Sequence, residues 1–207
     1  AAEEMLSLAD EAARRWVAGC SEQERGWVPR RALESWLGLM HEVGLLRLPL
    51  AFGRAHADFT LSENGAVATN NVQGDYRTNL RAASKVVMRL GRHFAQFTVV
   101  AGRDMYFGVI RPGWDVEGGP STLTAFLSGG RAVRIRGHCF YATVNGTHCA
   151  CSNYDWEGRQ GAKEGDRVGM LLDLDQGSIT VYKNDEKMGG MVAEGLSGPL
   201  CWAVTLA

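Results

Sequence analysis

From Gly165 to Gly190 the chain reads Gly-Asp-Arg-Val-Gly-Met-Leu-Leu-Asp-Leu-Asp-Gln-Gly-Ser-Ile-Thr-Val-Tyr-Lys-Asn-Asp-Glu-Lys-Met-Gly-Gly, and few folds accommodate that pattern. Val168, Met170 and Leu172 alternate with Gly169, Leu171 and Asp173; the run breaks at Asp175-Gln176-Gly177; then Ile179, Val181 and Lys183 resume a period of two as far as Asn184-Asp185. Such alternation around a Gly-containing turn predicts a β-hairpin. Met170-Leu171-Leu172 puts apolar side chains on both faces of the first strand, so that strand is expected in the middle of a sandwich and not at a wet edge.

Either side of this hairpin the chain has two characters. Met5, Leu8, Ala9, Ala12, Ala13 and Trp16 recur at helical spacing, with Glu3 and Glu4 placed to suit the helix dipole at its start and Arg14 and Arg15 at its end, which predicts a helix over 2–17 with Gly19 as its stop. A second helix is predicted from Pro29, with Leu33, Trp36, Leu37, Met40 and Val43 on one face and Gly44 ending it; both helices need packing to persist, and Trp16 and Trp36 are expected to be buried. After a hinge at Leu46-Arg47-Leu48-Pro49-Leu50, glycines multiply and period two takes over. Strands are expected near 57–61, 66–69, 84–88, 93–100, 106–110, 133–135, 139–144, 148–152, 166–173, 178–183, 188–192 and 200–206, and Asn145-Gly146 is a strong short-range hairpin signal. The division is therefore a two-helix extension over 1–50 and one β-sandwich domain over 51–207; the opening Ala-Ala-Glu-Glu, without an initiator Met, is read as a fragment or a processed form.

The motifs are recognisable as a set. Gly165-Asp166-Arg167-Val168-Gly169, Leu172-Asp173-Leu174-Asp175, Gly177 and Val181-Tyr182-Lys183-Asn184 resemble, at several fixed spacings, the core of the SPRY domain family. Leu61-Ser62-Glu63-Asn64 resembles the strand and turn that open its PRY-SPRY form, 91–99 resembles its Gly-Arg-His-Tyr-Trp-Glu-Val strand, and Pro199-Leu200-Cys201-Trp202-Ala203-Val204 its last core strand. The resemblance covers about 57–207. It implies an all-β fold, a bent antiparallel β-sandwich with a jelly-roll topology like that of concanavalin, behind the small helical N-terminal extension. One position departs: Ala95-Gln96-Phe97 stands where the family often has Trp-Glu-Val, so Phe94, Phe97 or a tryptophan is expected to fill the space.

Composition excludes more than it selects. A net charge of −1 gives no field that would draw in nucleic acid or an anionic membrane, and neither is expected as a partner. Five cysteines, an odd number, make no disulfide framework in a chain of 207 residues, and free thiols fit a cytoplasmic or nuclear setting. No stretch reaches the roughly 18 apolar residues of a membrane helix. His138-Cys139 and His148-Cys149-Ala150-Cys151 have zinc-ligand chemistry, but neighbours on a strand point to opposite faces, so buried cysteines are the better reading. Asp173-Leu174-Asp175-Gln176-Gly177 lacks the later positions of a calcium loop and is read as a turn. Asn145-Gly146-Thr147 fits a glycosylation pattern without a secretory context and is also read as a turn. Arg131, Arg134, Arg136 and His138 read as a solvated basic face, with an acidic-partner patch as the sharper alternative. No nucleophile elbow, phosphate loop or His-Glu-x-x-His is present, so no catalytic residues, metal or cofactor are assigned.

Two aromatic loops remain. Arg111, Pro112, Trp114 and Asp115 follow one strand; Tyr154, Asp155 and Trp156 form another loop; tryptophan and tyrosine held by a rigid scaffold are common at recognition hot spots. SPRY domains bind peptides or protein faces through loops at one end of the sandwich, so the resemblance implies a non-enzymatic protein-interaction module using these residues, with Arg111 free to fork onto a carboxylate and the tryptophans alternatively plugging the core. Family members also serve as the substrate-recognition part of larger proteins, ubiquitin ligases included. A monomer is expected. The competing class is a carbohydrate- or small-ligand-binding sandwich or an enzyme with a non-local site.

Overall fold

Ser7 opens the first helix: its hydroxyl accepts from the Asp10 amide, and α1 runs Leu8–Ala18. The structure, a computed structural model, describes residues 7–47, 49–71, 80–102, 104–113, 116, 139–149, 153–192 and 194–206. Ser21 and Glu24 then form a reciprocal capping box that starts α2, Glu22–Trp27, a helix the sequence reading missed. The helix expected from Pro29 begins only at Trp36, because the Ser35 hydroxyl accepts from the Gly38 amide and caps α3 there; α3 continues through Gly44 to Leu46. Val17, Cys20, Val28, Leu39 and Val43 form a small core of the helices' own. Trp16 and Trp36 are not its buried anchors. Trp16 is 37% exposed, and the guanidinium groups of Arg47 and Arg30 lie over Trp16 and Trp36 respectively.

The strands are β1 Phe52–Ala55, β2 Phe59–Ser62, β3 Val67–Asn70, β4 Leu80–Ser84, β5 Arg92–Thr98, β6 Met105–Ile110, β7 Cys139–Ala142, β8 His148–Cys149, β9 Asn153–Tyr154, β10 Arg167–Asp173, β11 Ser178–Lys183, β12 Glu186–Val192 and β13 Cys201–Leu206. β1 was not foreseen. The strand expected over 84–88 instead ends at Ser84, and the one expected over 133–135 falls outside the described residues. The order β1-β4-β13-β6-β7-β8-β9 makes a seven-stranded sheet and β12-β11-β10-β5 a four-stranded one, with β2-β3 as a separate pair; every pairing is antiparallel.

Period two decides what lies between the sheets. Ala95, Phe97, Val168, Met170, Leu172, Ile179 and Val181 from the four-stranded sheet meet Phe107, Val109, Tyr141, Trp202 and Val204 from the seven-stranded one. Phe97 stacks on Phe107 with ring centroids 4.9 Å apart and meets Trp202 edge-on, filling the space around the small Ala95. The opposite face of β5 and β10 is covered by the helices, which is why Leu171 is apolar too. Trp27 stacks flat on Phe94, 4.1 Å between centroids. Gly169 makes this possible, since a Cβ there would stand 2.7 Å from the Phe94 ring. Polar clamps complete the seam. Arg92, 3% exposed, bonds Glu34, Glu42 and the Pro29 carbonyl, and Arg31 bonds Asp173 and Asp175.

Candidate functional site

Three places were open to a partner. At one end of the sandwich, β6 finishes at Ile110 beside the start of β13 at Cys201, and the loops 85–91, 111–113, 174–177 and 194–200 gather there. Met88 and Leu200 exchange both backbone bonds, at 2.7 and 2.9 Å. The Ser84 hydroxyl donates to the Val86 carbonyl at 3.2 Å, and the Gly91 amide donates to Asp175 at 2.9 Å. His93 Nε2 meets the Leu90 carbonyl at 2.9 Å, and burial lowers the imidazole's pKa. A loop held at so many points keeps its shape, yet it turns Val86, Val87 and Leu90 outward at 58, 37 and 74% exposure. Isolated exposed aliphatics are ordinary; three on one short, fixed loop form a patch.

Arg111 belongs to this end, but its fork is turned inward: Nη1 donates to the carbonyls of Ser197 (2.7 Å) and Pro199 (3.3 Å), so it ties down the loop that enters β13. Pro112 follows it, half-buried. Trp114 and Asp115 lie outside the described residues, as do Arg131, Arg134, Arg136 and His138.

The second aromatic loop stands at the other end. Phe107 is level with Tyr141, Tyr141 with His148, and His148 with Tyr154. Arg111 lies four residues beyond Phe107 in one direction, about 13 Å along the strand, while β9 leads to Asp155 and Trp156 in the other. Four antiparallel strands in a row fix this, so Arg111 and Trp156 do not rim one groove. Trp156 is half-buried, packs against the main core and donates from Nε1 to the Gly146 carbonyl at 2.7 Å. It plugs the Asn145-Gly146 turn. Asp155 is exposed and pairs with Arg159 at 3.0 Å; of Tyr154 the structure fixes the backbone position in β9.

A third feature, unforeseen in the sequence, is a cavity of about 430 Å³ between α2 and the outer face of the four-stranded sheet, lined among others by Trp27, Leu171, Thr180, Tyr182 and Lys187. No histidine or cysteine lines it, and its two aspartates, Asp173 and Asp185, are each bonded to an arginine. Among the described residues no three His, Cys, Asp or Glu side chains converge as metal ligands, and no described helix is long and apolar enough to cross a membrane. Asp173 instead shapes its turn, its Oδ1 accepting from the amides of Asp175 (3.1 Å) and Gln176 (3.0 Å).

Two antiparallel sheets packed face to face define a β-sandwich domain. The particular sandwich is the SPRY fold. It is similar to the crystal structure of the SPRY domain of human HERC1, with a TM-score of 0.56 and 17% identity over 75% of this chain and 89% of that one. It is also similar to the TRIM65 PSpry domain, with a TM-score of 0.56 and 18% identity over 87% of this chain and 95% of that one. No protein-family model and no curated protein matches the sequence.

Proposed function

We propose that this chain is a non-enzymatic recognition module that holds a short peptide or a protein face at the end of the sandwich formed by residues 85–91, 111–113 and 194–200. The observation that carries this reading is the loop of Val86, Val87 and Leu90, exposed yet fastened by the Met88 backbone bonds to Leu200 and by the Gly91 amide donating to the Asp175 carboxylate. A preformed apolar surface binds without first being ordered, which preserves affinity. Pro112 and the segment carrying Trp114 and Asp115 adjoin it in sequence; Tyr154, Asp155 and Trp156 serve the opposite end and are structural in this reading. The module acts inside the cell as the substrate-recognition part of a larger, ubiquitin-ligase-like protein.

The test is selection of binders from a random twelve-residue peptide library displayed on phage, followed by NMR mapping of the selected peptides on the full chain. Amide shifts at 85–91, 111–113 and 197–200 are expected. Peptides that shift only residues around Asp155 and Trp156, or only those lining the cavity under α2, would move the site elsewhere; a library that yields no binder sinks the reading.

A further inference from the structure

The loop that carries the exposed aliphatics is also charged in a fixed pattern. It reads Lys85-Val86-Val87-Met88-Arg89-Leu90, with Met88 buried at 1% exposure and every other residue turned to solvent. Neither Lys85 nor Arg89 forms an ion pair with any described residue. Asp175, which meets the end of this loop at the Gly91 amide, is already held by Arg31. Glu194, on the neighbouring loop, is exposed and pairs with neither cation. Arg14, Arg15, Arg31, Arg47 and Arg92 of the helical layer and its seam are each paired with a carboxylate, whereas this loop sets two unpaired cations among exposed apolar side chains.

Lys85 is also seated. Its stem crosses Gly53 of β1 so closely that a Cβ at Gly53 would lie 2.0 Å from Lys85 Cγ and 2.2 Å from Cε. The bare glycine forms a saddle for the aliphatic stem, which narrows the region the exposed ammonium can reach. Arg89 is fixed through its backbone, because its carbonyl stands 2.5 Å from where a Gly198 Cβ would be.

Resting on the recognition reading above, we infer that the segment held at this end is an acidic-aliphatic peptide, carrying carboxylates that meet Lys85 and Arg89 on either side of apolar residues that cover Val86, Val87 and Leu90. Charge complementarity of this kind sets partner choice more than raw affinity. An anionic bilayer has matching chemistry, but the chain's net charge of −1 supplies no long-range attraction toward one.

The experiment uses the same phage library on the wild-type chain and on a Lys85→Glu/Arg89→Glu variant, with thermal melting to show that both fold. Wild type is expected to enrich Asp and Glu flanking Leu, Ile or Val; the reversed variant should bind those peptides about tenfold more weakly and enrich Lys and Arg instead. Affinity of the wild-type peptides should fall as salt rises from 50 to 500 mM, by design of the titration. Peptides that map to 85–91 but carry no acidic bias overturn the inference while leaving the recognition reading intact. Peptides insensitive to Val86→Ser/Leu90→Ser overturn both. Co-sedimentation of the wild-type chain with phosphatidylserine vesicles, lost in the charge-reversed variant, would assign the patch to lipid and also overturn it.

Discussion

Trp27, the last residue of α2, lies flat on Phe94 in the middle of β5, their ring centroids 4.1 Å apart and their planes 15° from parallel. One ring comes from the helical extension and the other from the strand that resembles the family motif, with Tyr182 meeting Phe94 edge-on from β11. The helices are therefore the outer cover of the four-stranded sheet.

Trp27→Ala should remove that stack and expose part of Phe94 and Leu171. A half-buried indole lost from an aromatic pair costs roughly 2–3 kcal/mol. Urea unfolding followed by circular dichroism would register the loss as a lower midpoint; a midpoint equal to wild type would show that the helices sit on the sheet without stabilising it.

Arg92 is the ionic counterpart of that stack. Glu34 and Glu42 share its guanidinium beneath the helices, at 2.6 and 2.5 Å. Arg92→Met leaves two carboxylates facing each other without a cation, and breaking a buried pair in this way costs about 3–5 kcal/mol. The helical layer should loosen first. Hydrogen exchange of the α3 amides, measured by mass spectrometry, is expected to accelerate more than exchange in β10 and β11; uniform change across the chain would contradict this.

Acid should act on the domain with two opposite signs. The Asp175 carboxyl is held below its ordinary value of 3.8, first by Arg31 and then by the Gly91 amide, and Asp166 is lowered to about 2, first by Asn184 and then by the Lys163 amide. Both bind a proton less readily folded than unfolded. Their stabilisation is thus complete above pH 3.8 and is lost as pH falls through the lowered folded values, which for Asp166 is about 2. Glu42 has the opposite sign: burial raises its pKa above the ordinary 4.5, outweighing the pull of Arg92, so its contribution favours folding below pH 4.5 and fades as pH rises through its folded value. Urea midpoints between pH 2 and 7 should therefore fall steeply only at the acid end. Asp175→Asn should flatten that fall, and Glu42→Gln should flatten the slope above pH 4.5.

Trp156→Phe keeps the ring and removes the donor to the Gly146 carbonyl. The expected cost is about 1 kcal/mol, the usual worth of one such bond. Peptide binding at residues 85–91 should be unchanged, because Trp156 stands at the other end of the sandwich. A variant that keeps its melting temperature but loses binding would return Trp156 to the recognition surface.

Much of this fold could be read from residue order alone. The period of two in 168–183 set which face of β10 and β11 meets the core, since alternate side chains must point apart, whereas the close approach of Phe94 to Gly169 on the other face came only from the tertiary structure. The resemblance carried by the fixed motif spacings implied the particular sandwich. What stayed hidden depends on partners distant in sequence. Ser35 moved the start of α3 away from Pro29 because a capping hydroxyl outweighs a favourable first-turn proline, and Ser84 ends β4 where apolar composition alone would have carried the strand through Val86 and Val87. That same difference turned an expected strand into the exposed loop that carries Val86, Val87 and Leu90. The opposite ends occupied by Arg111 and Trp156 follow from the direction of each successive strand, a property of the whole sheet and of no local pattern. Ion pairs such as Arg31 with Asp173, and Arg92 with Glu34, join residues far apart in the chain, and their chemistry exists only once the sheet and the helices have brought those charges within hydrogen-bond reach.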